Sequence, residues 1–265
     1  MTGTVYLVGA GPGAADLLTL RAARLLERAD VVFHDALVSG EILSLSRKAL
    51  KIPVGKRSGR LSTAQNFINK RLADAARKHT VVVRLKGGDP MLFGRAHEEI
   101  SYLRGKGIKV EVVPGVTAAL SASAELGVSL TRRGVSRSVV FLTPRAGEGE
   151  RANEWVKVAL AADTAAIYMG AGEAEIIARD LIAAGKPAST PVAVIENASL
   201  PDARFRFATL ERLPEIAQPG GPSLILLGEV FEDAAIIRAW QAAQSSFSPT
   251  ARAIPIGRGR SGSSR

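Results

Sequence analysis

Three glycine-rich turns, each placed directly after a β-branched run, constrain the fold of this chain more than any other feature. VYLVG (Val5–Gly9) runs into GAGPG (Gly9–Gly13), VVVRL (Val81–Leu85) into GGDP (Gly87–Pro90), and VEVVP (Val110–Pro114) into PGVTAALSASAE (Pro114–Glu125). Helical spacing of apolar residues predicts helices over Asp16–Arg28, Thr63–Lys78 (with Thr63 a candidate cap) and Phe93–Arg104, and VVF (Val31–Phe33) reads as a further strand. Strands alternating with helices imply a largely parallel sheet covered on its faces. In such sheets ligands bind outside the carboxyl ends of the strands, where turns expose backbone N–H groups.

The second half begins after Thr131-Arg132-Arg133-Gly134 and is patterned differently. Strands are expected over Val139–Thr143, Ala165–Met169, Val192–Glu196, Phe205–Leu210 and Ser223–Gly228, with helices over Ala152–Ala161, Glu173–Ala184 and Asp233–Gln244. Two of these strands follow each other without room for a helix, which implies a mixed sheet. The expected architecture is therefore two α/β domains: an N-terminal one over 1–133, a C-terminal one over 134–244, and a basic, disordered tail over 245–265. No internal repeat is seen.

Composition narrows the chemistry. The 265 residues contain no cysteine, which excludes disulfides, thiolate metal sites and cysteine nucleophiles, and three histidines leave little for a metal site. No apolar run approaches the ~18 residues of a membrane span. The start enters a strand-like segment with no basic region before it, so neither a secretory signal nor a membrane partner is expected, and a cytoplasmic location is. The net charge is +10, and the four arginines of the tail leave +6 for the rest. A basic RNA-binding protein is one reading, but aromatics are only 5% and no nucleic-acid module is present, so no nucleic-acid partner is expected.

Each turn has two local readings. GAGPG matches part of a dinucleotide fingerprint at Gly9 and Gly11, but Ala14 stands where its last glycine belongs. It reads as the turn of a dinucleotide-dependent oxidoreductase or as a tight strand-to-helix turn. GGDP holds the Asp89 carboxylate where it can meet a ribose hydroxyl or an ammonium, or can cap the next helix. The small residues after Pro114 leave room for a ligand, or for close helix–sheet packing. Asp35 and Lys56 sit on turns at the same rim and can act as base and acid, or be surface charges. His34 and His97 read as polar surface or rim groups.

Taken together and in order, GAGPGAADLLTLRAARLL, DALVS, VGKR, RLKGGDPMLFGRAHEE, VVPGVTAA and LTRR resemble the uroporphyrinogen-III C-methyltransferases of the tetrapyrrole methylase family. IYMG (Ile167–Gly170) and VIEN (Val194–Asn197) are similar to that family's later motifs, and the resemblance covers roughly residues 4–240. GGDP followed by FGR resembles these enzymes more than relatives that methylate later corrin precursors, which stand as the near alternative.

The resemblance implies the tetrapyrrole methylase fold, with S-adenosyl-L-methionine folded into a cleft between two α/β domains. It implies two successive methylations of uroporphyrinogen III to precorrin-2, toward siroheme or cobalamin, with S-adenosyl-L-homocysteine as product, no metal, and a homodimer. Pro12, Gly87, Gly88, Asp89, Leu92, Thr117, Ala118, Met169 and Ala198 would line the donor site, with Asp35 as proton acceptor and Lys56 as proton donor. The chain departs from the family pattern at Met91, usually Phe, and at Ala96-His97, usually Gly-Gly. Arg132 replaces a usual His, Pro144-Arg145 a common Gly-His, and Ala198 a frequent Gly. The acceptor is a polycarboxylate, and Lys56, Arg57, Arg95, Arg132 and Arg133 are the cations available to hold it.

Overall fold

The computed structural model describes residues 2–54, 62–146, 154–217 and 220–232. Lys56, Arg57, the expected helix 233–244 and the tail lie outside the described residues.

The first sheet has five strands, β1 (Thr4–Gly9), β2 (Val31–His34), β3 (Leu50–Pro53), β4 (Val81–Lys86) and β5 (Lys109–Val113), in the order β3-β2-β4-β1-β5. All pairings are parallel. Helices α1 (Leu20–Arg28) and α2 (Gly40–Ser44) cover one face, where Ala22, Leu26 and Ile42 pack on Val8, Val32, Val83 and Leu85. Helices α3 (Ser62–Ala76) and α4 (Ala96–Gly105) cover the other, where Leu72, Ala76 and Leu103 pack on Val5, Leu7, Phe33 and Val82. Successive strand residues point to opposite faces, so a strand covered on both sides is apolar at nearly every position.

The second sheet is mixed, as the sequence implies. Its strands are β6 (Val139–Leu142), β7 (Thr164–Tyr168), β8 (Pro191–Glu196), β9 (Arg204–Thr209) and β10 (Ser223–Leu227), in the order β6-β7-β10-β8-β9. β6 and β7 are parallel, while β10 runs antiparallel to β7 and β8, and β9 antiparallel to β8. Helices α6 (Trp155–Ala161), α7 (Ala174–Ala183) and α8 (Leu213–Ile216) bury Ala159, Ile177, Leu181 and Leu213 against one face. The other face takes α5 (Ala118–Leu126), whose Ala119, Ala122 and Leu126 pack with Ala166, Ala193, Ile195 and Leu226. The helix that follows the last strand of the first sheet thus packs on the second.

Three helix starts differ from expectation for local reasons. Residues 15–17 form a 3-10 turn and Leu18 is extended, so α1 begins only at Leu20. Thr19 caps it, its hydroxyl accepting from Ala22 N at 3.2 Å, a contact that stabilises a helix by about 1 kcal/mol. α4 begins at Ala96 rather than Phe93, because Phe93 and Arg95 hold φ of 51° and 54°, a left-handed backbone that no α-helix continues through. Thr63 lies inside α3, not at its cap.

Candidate active site

A parallel sheet brings the carboxyl ends of all its strands to one edge. Asp35 follows β2, the GGDP turn follows β4, GAGPG follows β1 and Pro114–Thr117 follows β5. Because β4, β1 and β5 are neighbours, the three glycine turns touch. Gly11 N donates to Gly88 O at 3.2 Å and Gly88 N to Gly11 O at 2.7 Å. A Cβ on Gly9 would stand 2.6 Å from Gly115 Cα, and one on Gly115 would stand 2.4 Å from Gly88 O. These glycines are required by backbone-to-backbone approach, which also accounts for the partial match of GAGPG to a dinucleotide fingerprint.

Asp89 braces the cluster. Its Oδ1 accepts from Met91 N at 2.8 Å and its Oδ2 from Gly115 N at 2.9 Å. It therefore ties the second turn to the third and does not cap α4. Gly88 has φ of 67°, and nothing lies within 4 Å of where its Cβ would be. Space for a ligand against bare backbone exists there.

The strand ends of the second sheet close the seam. Met169 follows β7 with φ of 57° and is 44% exposed. Ala198 follows β8, buried between Asn197 and Ser199, which hold φ of 53° and 69°. Strain of this kind costs about 1–3 kcal/mol per residue and persists where surrounding structure enforces it. The enforcing contact at Ser199 is visible: its Oγ accepts from Ala14 N of the first turn at 2.9 Å. Tyr168 joins the third turn to the second sheet, its hydroxyl 2.6 Å from Thr117 Oγ1 and accepting from Ala119 N at 3.2 Å. Its ring packs on Phe93 and Phe141, with centroids 5.2 and 6.2 Å away. Burial raises the Tyr168 pKa, and the Thr117 and Ala119 hydrogen bonds only partly oppose that. Phenylalanine at 168 is expected to lower the melting temperature by about 2–8 °C in a thermal melt, since two buried partners lose a hydrogen bond worth about 1–2 kcal/mol in total.

Pro12, Gly87, Gly88, Asp89, Leu92, Thr117, Ala118, Met169 and Ala198 all lie on turns, or next to residues, that make these contacts. Lys56 lies outside the described residues, so its distance from Asp35 is not described. His34 Nδ1 is 3.2 Å from the Asp35 carbonyl oxygen, and His97 is exposed. Among the described residues no group of His, Cys, Asp and Glu is arranged to hold a metal ion, and no helix is long and apolar enough to cross a membrane.

Asp35 has a neighbourhood that sequence reasoning missed. Arg84 Nη2 donates to its Oδ1 at 2.6 Å. The same guanidinium donates through Nε to Glu99 Oε1 at 3.0 Å, and Lys86 Nζ reaches both Glu99 oxygens at 3.1 Å. Gln65 Nε2 adds donors to Glu99 Oε1 at 3.1 Å and Asn69 Oδ1 at 3.0 Å. Arg84, Lys86 and Glu99 are buried, whereas the Asp35 side chain is 29% exposed. Burial works against the Arg84 charge, but Asp35 and then Glu99 outweigh it and raise its pKa. Burial and then the Arg84 charge lower the pKa of Lys86. The signal was two cations at alternating positions of the otherwise apolar strand VVVRLK.

Glycine turns stacked along the carboxyl edge of one sheet, and met by strand ends of a second, define a two-sheet α/β protein with bare backbone at Gly88 where the two meet. Residues 4–214 match the family of Tetrapyrrole (Corrin/Porphyrin) Methylases, and the chain belongs to it. It is 46% identical over 232 residues to siroheme synthase 1 of Serratia proteamaculans, covering 87% of this chain and 49% of that one. It is 44% identical to siroheme synthase of Nitrosococcus oceani, covering 86% and 50%. The chain thus spans about half the length of the curated relatives it matches. Among solved structures, uroporphyrin-III C-methyl transferase from Thermus thermophilus, complexed with S-adenyl homocysteine, superposes with a TM-score of 0.77 at 41% identity, over 87% of this chain and 99% of that one. A cobalt precorrin-4 methyltransferase gives a TM-score of 0.76 at 27% identity, over 86% and 95%.

Proposed function

We propose that this chain transfers methyl groups from S-adenosyl-L-methionine to carbon atoms of uroporphyrinogen III, in two successive steps that yield precorrin-2. The observation that carries the reading is the meeting of Gly9, Gly88 and Gly115 beneath an open backbone surface at Gly88. The Thermus thermophilus relative holds the demethylated donor, and siroheme synthases are also similar to this chain. The donor, when bound, supplies a methyl group already activated on a sulfonium sulfur.

What the residues of the chain add is placement and proton handling. Bare backbone at Gly88, with the small side chains of Ala118 and Ala198, leaves room for a ribose and adenine without a phosphate site. Held along the seam, the donor has its methyl aligned with the acceptor carbon. Once the pyrrole carbon has formed its new bond, a proton leaves the macrocycle, and Asp35 takes it. Lys56 serves as the proton donor. The working protein is a cytoplasmic homodimer without metal.

Arg132 and Arg133, both exposed on the turn closed by Arg132 and Ser136, hold acceptor carboxylates. Changing both to Gln is expected to raise KM for the tetrapyrrole at least about tenfold and to flatten its salt dependence; an unchanged KM overturns that role. The function itself is tested by incubating the chain with enzymatically generated uroporphyrinogen III and labelled donor, then weighing the pigment. Addition of two methyl groups is expected. No addition to this substrate, with methylation of a later corrin precursor, assigns the chain elsewhere in the family.

A further inference from the structure

The cluster behind Asp35 is costly. Taking charges out of water is repaid only by good geometry and complete hydrogen bonding, and apolar packing would fill the same volume without that cost. Here β4 and α4 place Arg84, Lys86 and Glu99 under the helices, with Gln65 and Asn69 completing the bonds. Of the four charged groups, only Asp35 reaches the rim.

We infer that Arg84 is a positioning residue that sets the orientation of the Asp35 carboxylate, with Glu99 holding Arg84 from behind; the inference rests on the reading of Asp35 as the proton acceptor. The guanidinium is planar and engaged on three nitrogens: Nη2 to Asp35 Oδ1, Nε to Glu99 Oε1, and Nη1 to the Leu85 carbonyl at 3.2 Å. A fork fixed on two sides by buried acceptors has no freedom to turn, and it passes that rigidity to the carboxylate it grips. Arg84 occupies Oδ1, which leaves Oδ2 to receive the proton. Glu99 in turn is held by Lys86 through both oxygens and by Gln65. Lysine at 84 would keep the charge but could not hold Asp35 and Glu99 in one plane.

The test is a double-mutant cycle on the full chain with Arg84→Met and Asp35→Asn, reading kcat, the tetrapyrrole KM and S-adenosyl-L-homocysteine affinity. Arg84→Met leaves Glu99 paired with Lys86, so no buried carboxylate is stranded. It is expected to lower kcat at least about tenfold with KM and product affinity within about twofold, and Arg84→Lys to recover only part of the loss. In the Asp35→Asn background Arg84→Met should cost no further factor beyond about twofold, because a residue acting through Asp35 has nothing left to act on. If Arg84→Met does not fold, Glu99→Gln, which keeps the shape and weakens the hold on Arg84, takes its place in the same cycle. A slow Asp35→Asn enzyme whose loss multiplies with that of Arg84→Met overturns this inference alone. An Asp35→Asn enzyme with full turnover overturns the proton-acceptor reading and the inference with it.

Discussion

Replacing Asp35 with Asn is expected to lower the methylation rate by about 10²–10⁴-fold, the usual contribution of a positioned general base. The amide has the volume of the carboxylate, and its oxygen can still accept from Arg84, so the rim keeps its shape. What it cannot do is take a proton. Stability should fall as well, because Arg84 is only 4% exposed and loses one of its two carboxylate partners, although its bond to Glu99 remains. Single-turnover rates at saturating donor, set beside calorimetric binding of S-adenosyl-L-homocysteine, separate the two effects. A kcat close to that of the parent with intact binding assigns the proton transfer to another group.

Alanine at Gly115 is expected to damage fold and donor site together. The added Cβ would stand 2.4 Å from Gly88 O and 2.9 Å from Gly9 Cα, both backbone atoms that no rotamer change can move. Overpacking of this kind costs about 1–3 kcal/mol, or roughly 2–12 °C in melting temperature for a chain near this size. The strain falls on the Asp89 bond to Gly115 N and on the paired bonds between Gly11 and Gly88, so affinity for S-adenosyl-L-homocysteine should be lost as well. Gly105→Ala, at the end of α4 with nothing within 4 Å of the new Cβ, is the control and should melt at or slightly above the parent. An unchanged melt and affinity for Gly115→Ala would mean that the turns need not touch.

Much of this site was legible in the sequence because its parts are local. A glycine turn directly after a β-branched run places itself at a carboxyl end, and Asp35, Asp89 and Met169 each lie one to three residues past a strand. Helix starts were less legible where backbone torsion decides them: nothing in FGRAHEE shows that Phe93 and Arg95 adopt positive φ. Tyr168 and Ser199 were missed because each works through partners far away in the sequence, Thr117 and Ala119 for the first and Ala14 for the second. The cations of VVVRLK were visible, but an isolated Arg and Lys in a strand also describe an exposed edge, and only burial distinguishes the two.

From sequence alone follow the alternation of strands, turns and helices in the first half, the change to a mixed sheet in the second, and the chemistry of each turn, since periodicity and turn residues act over a few positions. Which turns meet was decided only by the tertiary structure. Inserting β4 between β2 and β1 brings Gly88 to Gly11 and lays Arg84 against Asp35, 49 residues away. Docking of α5 on the second sheet, and of Ser199 on Ala14 across 185 residues, closes the seam. Strand order and docking are selected by burial of whole faces against one another, a sum over distant contacts that no local run of residues encodes.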